Sequence, residues 1–246
     1  NWATTYASWP PPTAKPMTFY MTADGKLSPE KPGVAKDNGA RGYTYPMGTE
    51  LVGDNDQFAV RPNATGALSY RTAPMAEDMT LLGFSQLTFY LSSERTDTDV
   101  MVVLHDIDEQ GNTLYLTRDF LRASLRAIDP KRSNAEETVR AFTKSEPLTP
   151  DQVYEMKLSI PPLGHVVRKG HSLELAIMAP SHIGQPNWGL MILDLPGRNT
   201  VYHSAQYPSS LTLSVLPDAK AQAPAPPCGV MEYQPCRKAP EQTATR

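Results

Sequence analysis

The chain has 246 residues, enough to bury a sizeable core as one large β domain or as two small ones. Its 24 prolines and 15 glycines predict a loop-rich protein, because prolines in that number interrupt long helices. A formal charge of −3 gives no electrostatic sign of a surface that binds nucleic acid or anionic lipid, and no apolar run reaches about 18 residues. We therefore expect neither nucleic acid nor a membrane as a partner.

The first 14 residues are predicted to be a linker or interface segment. They contain Trp2, Trp9 and three consecutive prolines at 10–12, which favour an extended chain over a helix. Rings this large and apolar are rarely left in water, so they pack either against this domain or against a neighbouring domain absent from the chain. Because the chain also begins without Met, we expect it to be a processed or excised piece.

Short segments of alternating apolar residues follow, and each predicts a strand because successive side chains of a strand point to opposite faces. The most regular block spans 79–127, where Leu87, Phe89 and Leu91 alternate with Thr88 and Tyr90. Within it, a polar run from 106 to 112 predicts a hairpin turn. Further strands are predicted at 17–21, 67–71, 153–160, 172–178, 200–203 and 210–216.

Irregular segments separate these strands. Glycine or proline recurs every few residues in 26–66, and a loop of that length is usually functional or mobile. Residues 129–152 are polar, with one helical turn predicted at 135–141, and the proline pair at 161–162 is predicted to end a strand. The tail at 218–246 is rich in proline and alanine, which predicts disorder.

About ten short strands with almost no helix predict an all-β protein with two packed sheets. The simplest such architecture is a jelly-roll sandwich with long loops, and we assign it to residues 15–217. A propeller is disfavoured because no internal repeat of suitable period is visible.

Motifs that carry hydrolytic or metal chemistry are not found in the sequence. The nearest approach to a G-x-S-x-G nucleophile motif surrounds Ser172, but Glu174 stands where the second glycine is required. The five histidines do not pair at metal-binding spacings. Asp97 and Asp99 are interpreted as groups that cap a turn, and Asp106, Asp108 and Glu109 as part of a hairpin loop, with a calcium loop as the alternative. We therefore predict no catalytic residue, no metal and no cofactor.

Two further features leave alternatives open. Cys228 and Cys236 lie eight residues apart, and they either close a disulfide in an oxidising compartment or remain two free surface thiols. A bonded pair would favour a secreted or periplasmic location. Trp188 either packs in the core or at its rim, or presents its ring to a sugar. The second possibility makes a free-standing carbohydrate-binding module the alternative function.

A set of motifs is distributed over most of the chain. It comprises Trp9-Pro10-Pro11, Asp24-Gly25, Tyr70 to Asp78, His105-Asp106-Ile107, Leu121-Arg122-Ala123, Val167 to Leu173 and Asn199 to His203. Together these motifs resemble the C-terminal domain of the cocaine esterase and X-Pro dipeptidyl-peptidase group of α/β-hydrolases. In that family the domain is a jelly roll, like galactose-binding domains, and the catalytic Ser, Asp and His all lie upstream of it. The resemblance implies a non-catalytic domain and favours a strand at 120–127.

The resemblance also implies a partner and a set of contacts. The partner is the catalytic α/β-hydrolase domain of the same protein, whose substrate is a small acyl ester or peptide. Trp2 and Trp9 then become interface residues toward that domain. Because the family's jelly roll closes one side of the active-site cleft, the implied substrate contacts are Tyr45, Met47, Leu51 and Val52. The sequence departs from the family at this loop, where Tyr45-Pro46-Met47-Gly48 replaces the expected Asp-Pro-x-Pro.

Overall fold

Strands account for nearly all of the regular secondary structure in the computed structural model, which describes residues 3–46, 65–180, 196–231, 234 and 236–239. Over these residues the chain forms eleven strands and two short 3₁₀ turns, at Lys36–Gly39 and Ala123–Leu125. The strands are β1 Lys15–Met21, β2 Leu27–Ser28, β3 Arg41–Tyr45, β4 Ala67–Arg71, β5 Met79–Ser93, β6 Asp99–Ile107, β7 Thr113–Arg122, β8 Tyr154–Val167, β9 Ser172–Met178, β10 Gly197–Tyr202 and β11 Ser210–Leu216. No helix among the described residues has the length and apolar character needed to cross a membrane.

The strands form two antiparallel sheets. The larger sheet has the order β2-β1-β11-β5-β10-β3, and β8 pairs along the other side of β5. The smaller sheet has the order β4-β9-β6-β7. This arrangement confirms the predicted all-β sandwich, while the name jelly roll for its connections stays an interpretation.

The alternation in β5 places the core between the sheets. Leu87, Phe89 and Leu91 are at most 1% exposed, whereas Thr88 and Tyr90 on the opposite face are only partly buried. Strands β6 and β9 lie in the middle of the smaller sheet, and every residue of both is buried. Such continuous burial explains the apolar run of β6, whereas in β9 it also encloses the polar side chains of Ser172 and Glu174.

Strand β8 continues through the proline pair that was predicted to end it, so that prediction is wrong. Gly83 of β5 pairs with Leu163 and Ser85 pairs with Ile160, so Pro161 and Pro162 together face a single residue of β5 as a bulge. Among the strands that the structure describes, β8 pairs with β5 alone. Prolines are tolerated on edge strands and at bulges because the missing N–H removes no bond from the ladder there.

Three other sequence expectations also differ from the structure. Segment 26–66 was expected to be irregular, yet it contains β2 and β3. No helical turn forms at 135–141, where Asn134 Oδ1 instead accepts hydrogen bonds from the backbone N–H groups of Glu136 and Glu137. The strand expected at 120–127 stops at Arg122 and gives way to a 3₁₀ turn.

The C-terminal tail contains no strand or helix among its described residues, but part of it contacts the smaller sheet. The Thr113 N–H donates to the carbonyl of Arg237 at 2.7 Å, and the Ala239 N–H donates to the carbonyl of Gly111 at 2.8 Å. A disulfide joins Cys228 to Cys236. The described end of a tail that we expected to be disordered therefore lies beside the first residue of β7.

Candidate functional site

Two long connections leave the sandwich at the same end, which we call the loop end. Strand β3 finishes at Tyr45, which pairs with the first residue of β10, Gly197. In the other sheet, Ala67 at the start of β4 pairs with Met178 at the end of β9. The β3–β4 and β9–β10 connections therefore begin and end side by side on facing sheets.

Four of the predicted site residues belong to these connections. Met47, Leu51 and Val52 fall in 47–64 and Trp188 falls in 181–195, which lie outside the described residues. Trp2 lies outside them as well. The structure describes the strands that flank both connections, and these strands bring the two connections to one end of the sandwich.

Tyr45 is the one predicted substrate contact among the described residues. Its side chain is 4% exposed and belongs to the main hydrophobic cluster between the sheets. In this chain its ring packs inside the domain, at the base of the β3–β4 connection. Its role as a substrate contact stays a prediction.

A buried polar group lies beneath the loop end. Asn199, which is fully buried, donates from Nδ2 to the Tyr43 hydroxyl at 3.1 Å and to Thr98 Oγ1 at 2.8 Å. Burial raises the pKa of the Tyr43 phenol well above its usual value, and the hydrogen bond from Asn199 opposes only part of that rise. The phenol is therefore neutral, and the group links β10, β3 and the turn before β6.

Asp97 organises the turn at this end. Its carboxylate accepts hydrogen bonds from the N–H groups of Thr98 and Ser124, at 2.9 and 2.8 Å, and from the Ser124 hydroxyl at 2.5 Å. The predicted capping role is therefore confirmed for Asp97. Asp99 does not cap; its carboxylate forms a two-pronged ion pair with Arg122, at 2.8 and 2.6 Å. That hydrogen-bonded pair raises the pKa of the Arg122 guanidinium above its ordinary value.

Hydrogen bonds also hold the flanks of both connections. The Arg95 guanidinium donates to the carbonyl of Pro196 from Nε at 3.0 Å and from Nη2 at 2.6 Å. The Thr44 N–H donates to the carbonyl of Thr65 at 2.8 Å. These hydrogen bonds fix each connection where it meets the sandwich. The ends of the connections therefore have defined positions relative to the two sheets.

A second polar cluster lies in a groove of about 770 Å³ near the β6–β7 hairpin. The two oxygens of Asp106, a buried residue, contact His165 Nε2 at 2.7 Å and His171 Nδ1 at 2.8 Å. Among the described residues no serine hydroxyl bonds to either imidazole, so the cluster is not arranged as a Ser-His-Asp triad. Nor does any group of three or more His, Cys, Asp or Glu side chains in the described part of the chain have an arrangement that fits a metal ion.

Asp108 bonds within the turn of the hairpin, whereas the turn role predicted for Asp106 is wrong, because Asp106 lies in β6 and contacts the two histidines. Asp108 accepts hydrogen bonds from the backbone N–H and from the side-chain amide of Asn112, both at 2.7 Å. This geometry confirms the prediction that the polar run at 106–112 builds a hairpin loop.

Two buried polar clusters were missed by the sequence reasoning. In one, His203 is held between the carbonyl of Gly39 at 2.6 Å and the Tyr70 hydroxyl at 2.8 Å. In the other, Arg71 Nη2 contacts Glu174 Oε2 at 2.8 Å. The bonded residues lie more than 100 positions apart, so no spacing in the sequence could have revealed them.

The predicted interface residue Trp9 lies on the outer side of the larger sheet. A Cβ added to Gly83 would come within 3.8 Å of the Trp9 ring and 3.3 Å of the Ser214 side chain. The Trp9 side chain nevertheless remains 55% exposed, and Tyr6 remains 38% exposed. Tryptophan and tyrosine are both enriched at protein–protein interfaces, so the two exposed rings are consistent with the predicted contact surface.

Comparison with known proteins gives matches in sequence and in structure. The family described as the X-Pro dipeptidyl-peptidase C-terminal non-catalytic domain matches residues 2–212. A Mycobacterium bovis protein named as a candidate serine esterase is 26% identical over 187 residues, which cover 69% of this chain and 29% of that protein. The chain thus spans less than a third of the curated relatives that it matches.

Among solved structures, a CocE/NonD family hydrolase from Staphylococcus aureus superposes with a TM-score of 0.68 at 17% identity, over 86% of this chain and 38% of the hydrolase. An α-amino acid ester hydrolase superposes with a TM-score of 0.61 at 22% identity, over 81% of this chain and 36% of that chain. At these identities the superpositions show a common fold. In each case the fold is shared with a minor part of a larger chain.

Proposed function

The chain belongs to the family of X-Pro dipeptidyl-peptidase C-terminal non-catalytic domains, and from that membership we propose that it serves as the C-terminal domain of a serine hydrolase. The observation that carries the proposal is a family match over residues 2–212 in a chain that covers only 29% of a candidate serine esterase. The catalytic residues then belong to another domain of the same protein, which acts on a small acyl ester or peptide.

In this proposal the loop end faces the substrate cleft. Support comes from the strand register, which brings the β3–β4 and β9–β10 connections together, and from the bonds of Arg95 and Thr44 that fix their flanks. Met47, Leu51 and Val52 are proposed as apolar contacts to the acyl part of the substrate. For Tyr45 we propose a role in holding the base of the connection, because its ring is packed inside this domain.

The test is an ester-hydrolysis assay on the purified chain alone and on the full-length protein. We expect the chain alone to hydrolyse a p-nitrophenyl acyl ester no faster than buffer and to resist labelling by a fluorophosphonate, which reacts with activated serines. The full-length protein should do both. Hydrolysis by the chain alone that the fluorophosphonate abolishes would contradict the proposal.

A further inference from the structure

The outer face of the larger sheet carries a group of tyrosines on a background of hydroxyl side chains. Strand register places Tyr20 opposite Ser210, Ser210 opposite Thr88, and Tyr202 opposite Tyr90, so these residues share one face. Their neighbours along the strands, such as Phe19, Leu87, Leu91 and Leu211, point into the core. We call the outward set, with Thr18, Thr212 and Tyr207, the tyrosine face.

The tyrosines of this face are held in place. The Tyr207 ring lies 5.3 Å from that of Tyr90 and 5.5 Å from that of Tyr202, measured between centroids. The Tyr202 hydroxyl contacts Ser92 Oγ at 2.9 Å, and the Tyr90 hydroxyl donates to Glu155 Oε2 at 3.0 Å. Preorganised aromatic side chains lose little conformational entropy when a partner covers them.

The chemistry of the face differs from that of an ordinary solvated sheet surface. The outward positions of β1 and β11, together with Thr88 and Tyr90 of β5, carry hydroxyl or proline side chains and no charge, in a chain that is 20% charged. Two charged residues of β8 share this side of the sheet, since Lys157 pairs in register with Thr88 and Glu155 with Tyr90, and they form an ion pair with each other at 2.7 Å. Tyrosine enrichment with depletion of Lys and Glu is the composition of a protein–protein interface.

The N-terminal segment extends this surface. Trp9 lies beside Ser214, and Ser214 points outward from β11 between the buried residues Leu213 and Val215. The exposed Trp9 ring is therefore on the same side of the sheet as the tyrosines. A body that covers the tyrosine face and reaches the far end of β11 would also bury Trp9.

We propose that the tyrosine face, with Trp9, is the surface on which the catalytic domain of the same polypeptide docks. This inference rests on the proposed function, because it takes its partner from there. A flat sugar is disfavoured as the occupant, since the rings of Tyr90 and Tyr202 are inclined to Tyr207 by 49° and 53° and do not form a planar platform.

The test places one positive charge in the centre of the face of the full-length protein. Thr88→Arg and Thr212→Arg add a guanidinium to the surface that docking would bury, and removing that charge from water weakens docking. Gln110→Arg is the control, because Gln110 is exposed in the β6–β7 hairpin, which belongs to the smaller sheet. We expect the first two variants to be cleaved by chymotrypsin after Tyr6, which is exposed, at least tenfold faster than the control. The KM for the ester substrate should rise in the same two variants.

Three results distinguish the docking face, the proposed function and self-association of the chain. Equal cleavage rates and equal KM values for the three variants, in a protein that hydrolyses the ester, would overturn the docking face and leave the proposed function standing. A gene without a hydrolase domain would remove both. Dimers of the isolated chain that Thr88→Arg dissociates would assign the face to a second copy instead.

A second measurement avoids variants that fail to fold. Hydroxyl-radical footprinting of the unmodified full-length protein and of the isolated chain compares the same tyrosines in both. We expect Tyr20, Tyr90, Tyr202 and Tyr207 to be oxidised several-fold more slowly in the full-length protein. Equal rates in the two proteins would contradict the proposal.

Discussion

His203 is a buried imidazole whose protonation should set how the stability of this domain depends on pH. The side chain is 2% exposed, its Nδ1 donates to the carbonyl of Gly39, and its Nε2 accepts from the Tyr70 hydroxyl. That pattern requires the neutral ring, because a protonated Nε2 has no lone pair to accept the hydrogen bond. Burial, assisted by the charge of Arg41, lowers the pKa of His203 to about 4, and the bond to Gly39 only partly opposes the change.

The magnitude follows from the difference between the folded and unfolded pKa values. In the unfolded chain the imidazole takes up a proton as the pH falls through 6.5, whereas in the folded chain it does so only near 4. The unfolded state therefore binds more protons in this window, and the free energy of unfolding decreases as the pH falls. Over the whole window the free energy of unfolding decreases by about 3.4 kcal/mol, of which about 2 kcal/mol is lost between pH 7 and pH 5.

Urea unfolding at pH 7 and pH 5, followed by tryptophan fluorescence, measures this loss in the wild type and in His203→Asn. The variant should be less stable at pH 7 by about 1–3 kcal/mol, since the Tyr70 hydroxyl loses its acceptor. Its stability should fall between the two pH values by about 2 kcal/mol less than that of the wild type. Tyr70→Phe, which keeps the imidazole, should retain most of the pH dependence. The same fall in wild type and His203→Asn would refute the reasoning.

Three other sets of variants test further parts of the fold. Arg71→Met leaves Glu174, which is 1% exposed, without its guanidinium partner at 2.8 Å, and the free energy of unfolding in urea should fall by about 3–5 kcal/mol. A second substitution, Glu174→Met, should restore most of this stability. A double variant whose loss equals the sum of the two single losses would contradict this account. Phe89→Ala should lower the free energy of unfolding by about 3–5 kcal/mol because the ring is fully buried, whereas Thr88→Ala on the opposite face should change it by no more than about 0.5 kcal/mol. Similar losses in both variants would contradict the assignment of the Phe89 face to the core. Cys228→Ser opens the disulfide loop beyond β11, so limited proteolysis should cleave the tail faster while the melting temperature of the sandwich stays unchanged. A large fall in the melting temperature would mean that the tail is part of the folded body.

Strands whose signal is local were predictable from the sequence. The bounds predicted for 67–71, 172–178 and 210–216 coincide with those of β4, β9 and β11. In β11, Leu211, Leu213 and Val215 alternate with hydroxyl residues, and that pattern alone specifies a strand with one buried face. The hairpin at 106–112 was predictable for the same reason, since Asp108 bonds within its own turn.

Features that depend on a neighbouring strand were not predictable. The prolines at 161–162 break a strand by their own propensity, and only the bulge against Gly83 and Ser85 makes them acceptable in β8. The ion pair of Arg71 with Glu174 forms because β4 lies beside β9 with these two residues directly paired. Such contacts come from the pairing register, which a single sequence does not display.

The candidate site depends both on local sequence signals and on the pairing of strands. Motif resemblance was sufficient to select Met47, Leu51 and Val52 in one connection, and ring chemistry was sufficient to select Trp188 in another, but nothing in the sequence relates two segments more than 100 residues apart. Pairing of Tyr45 with Gly197 and of Ala67 with Met178 relates them, because it brings the ends of both connections to one end of the sandwich. Under the proposed function, the contribution of this domain to the substrate cleft therefore depends on strand register. Variants that slip β3 against β10 should impair substrate binding as strongly as changes in the connections themselves.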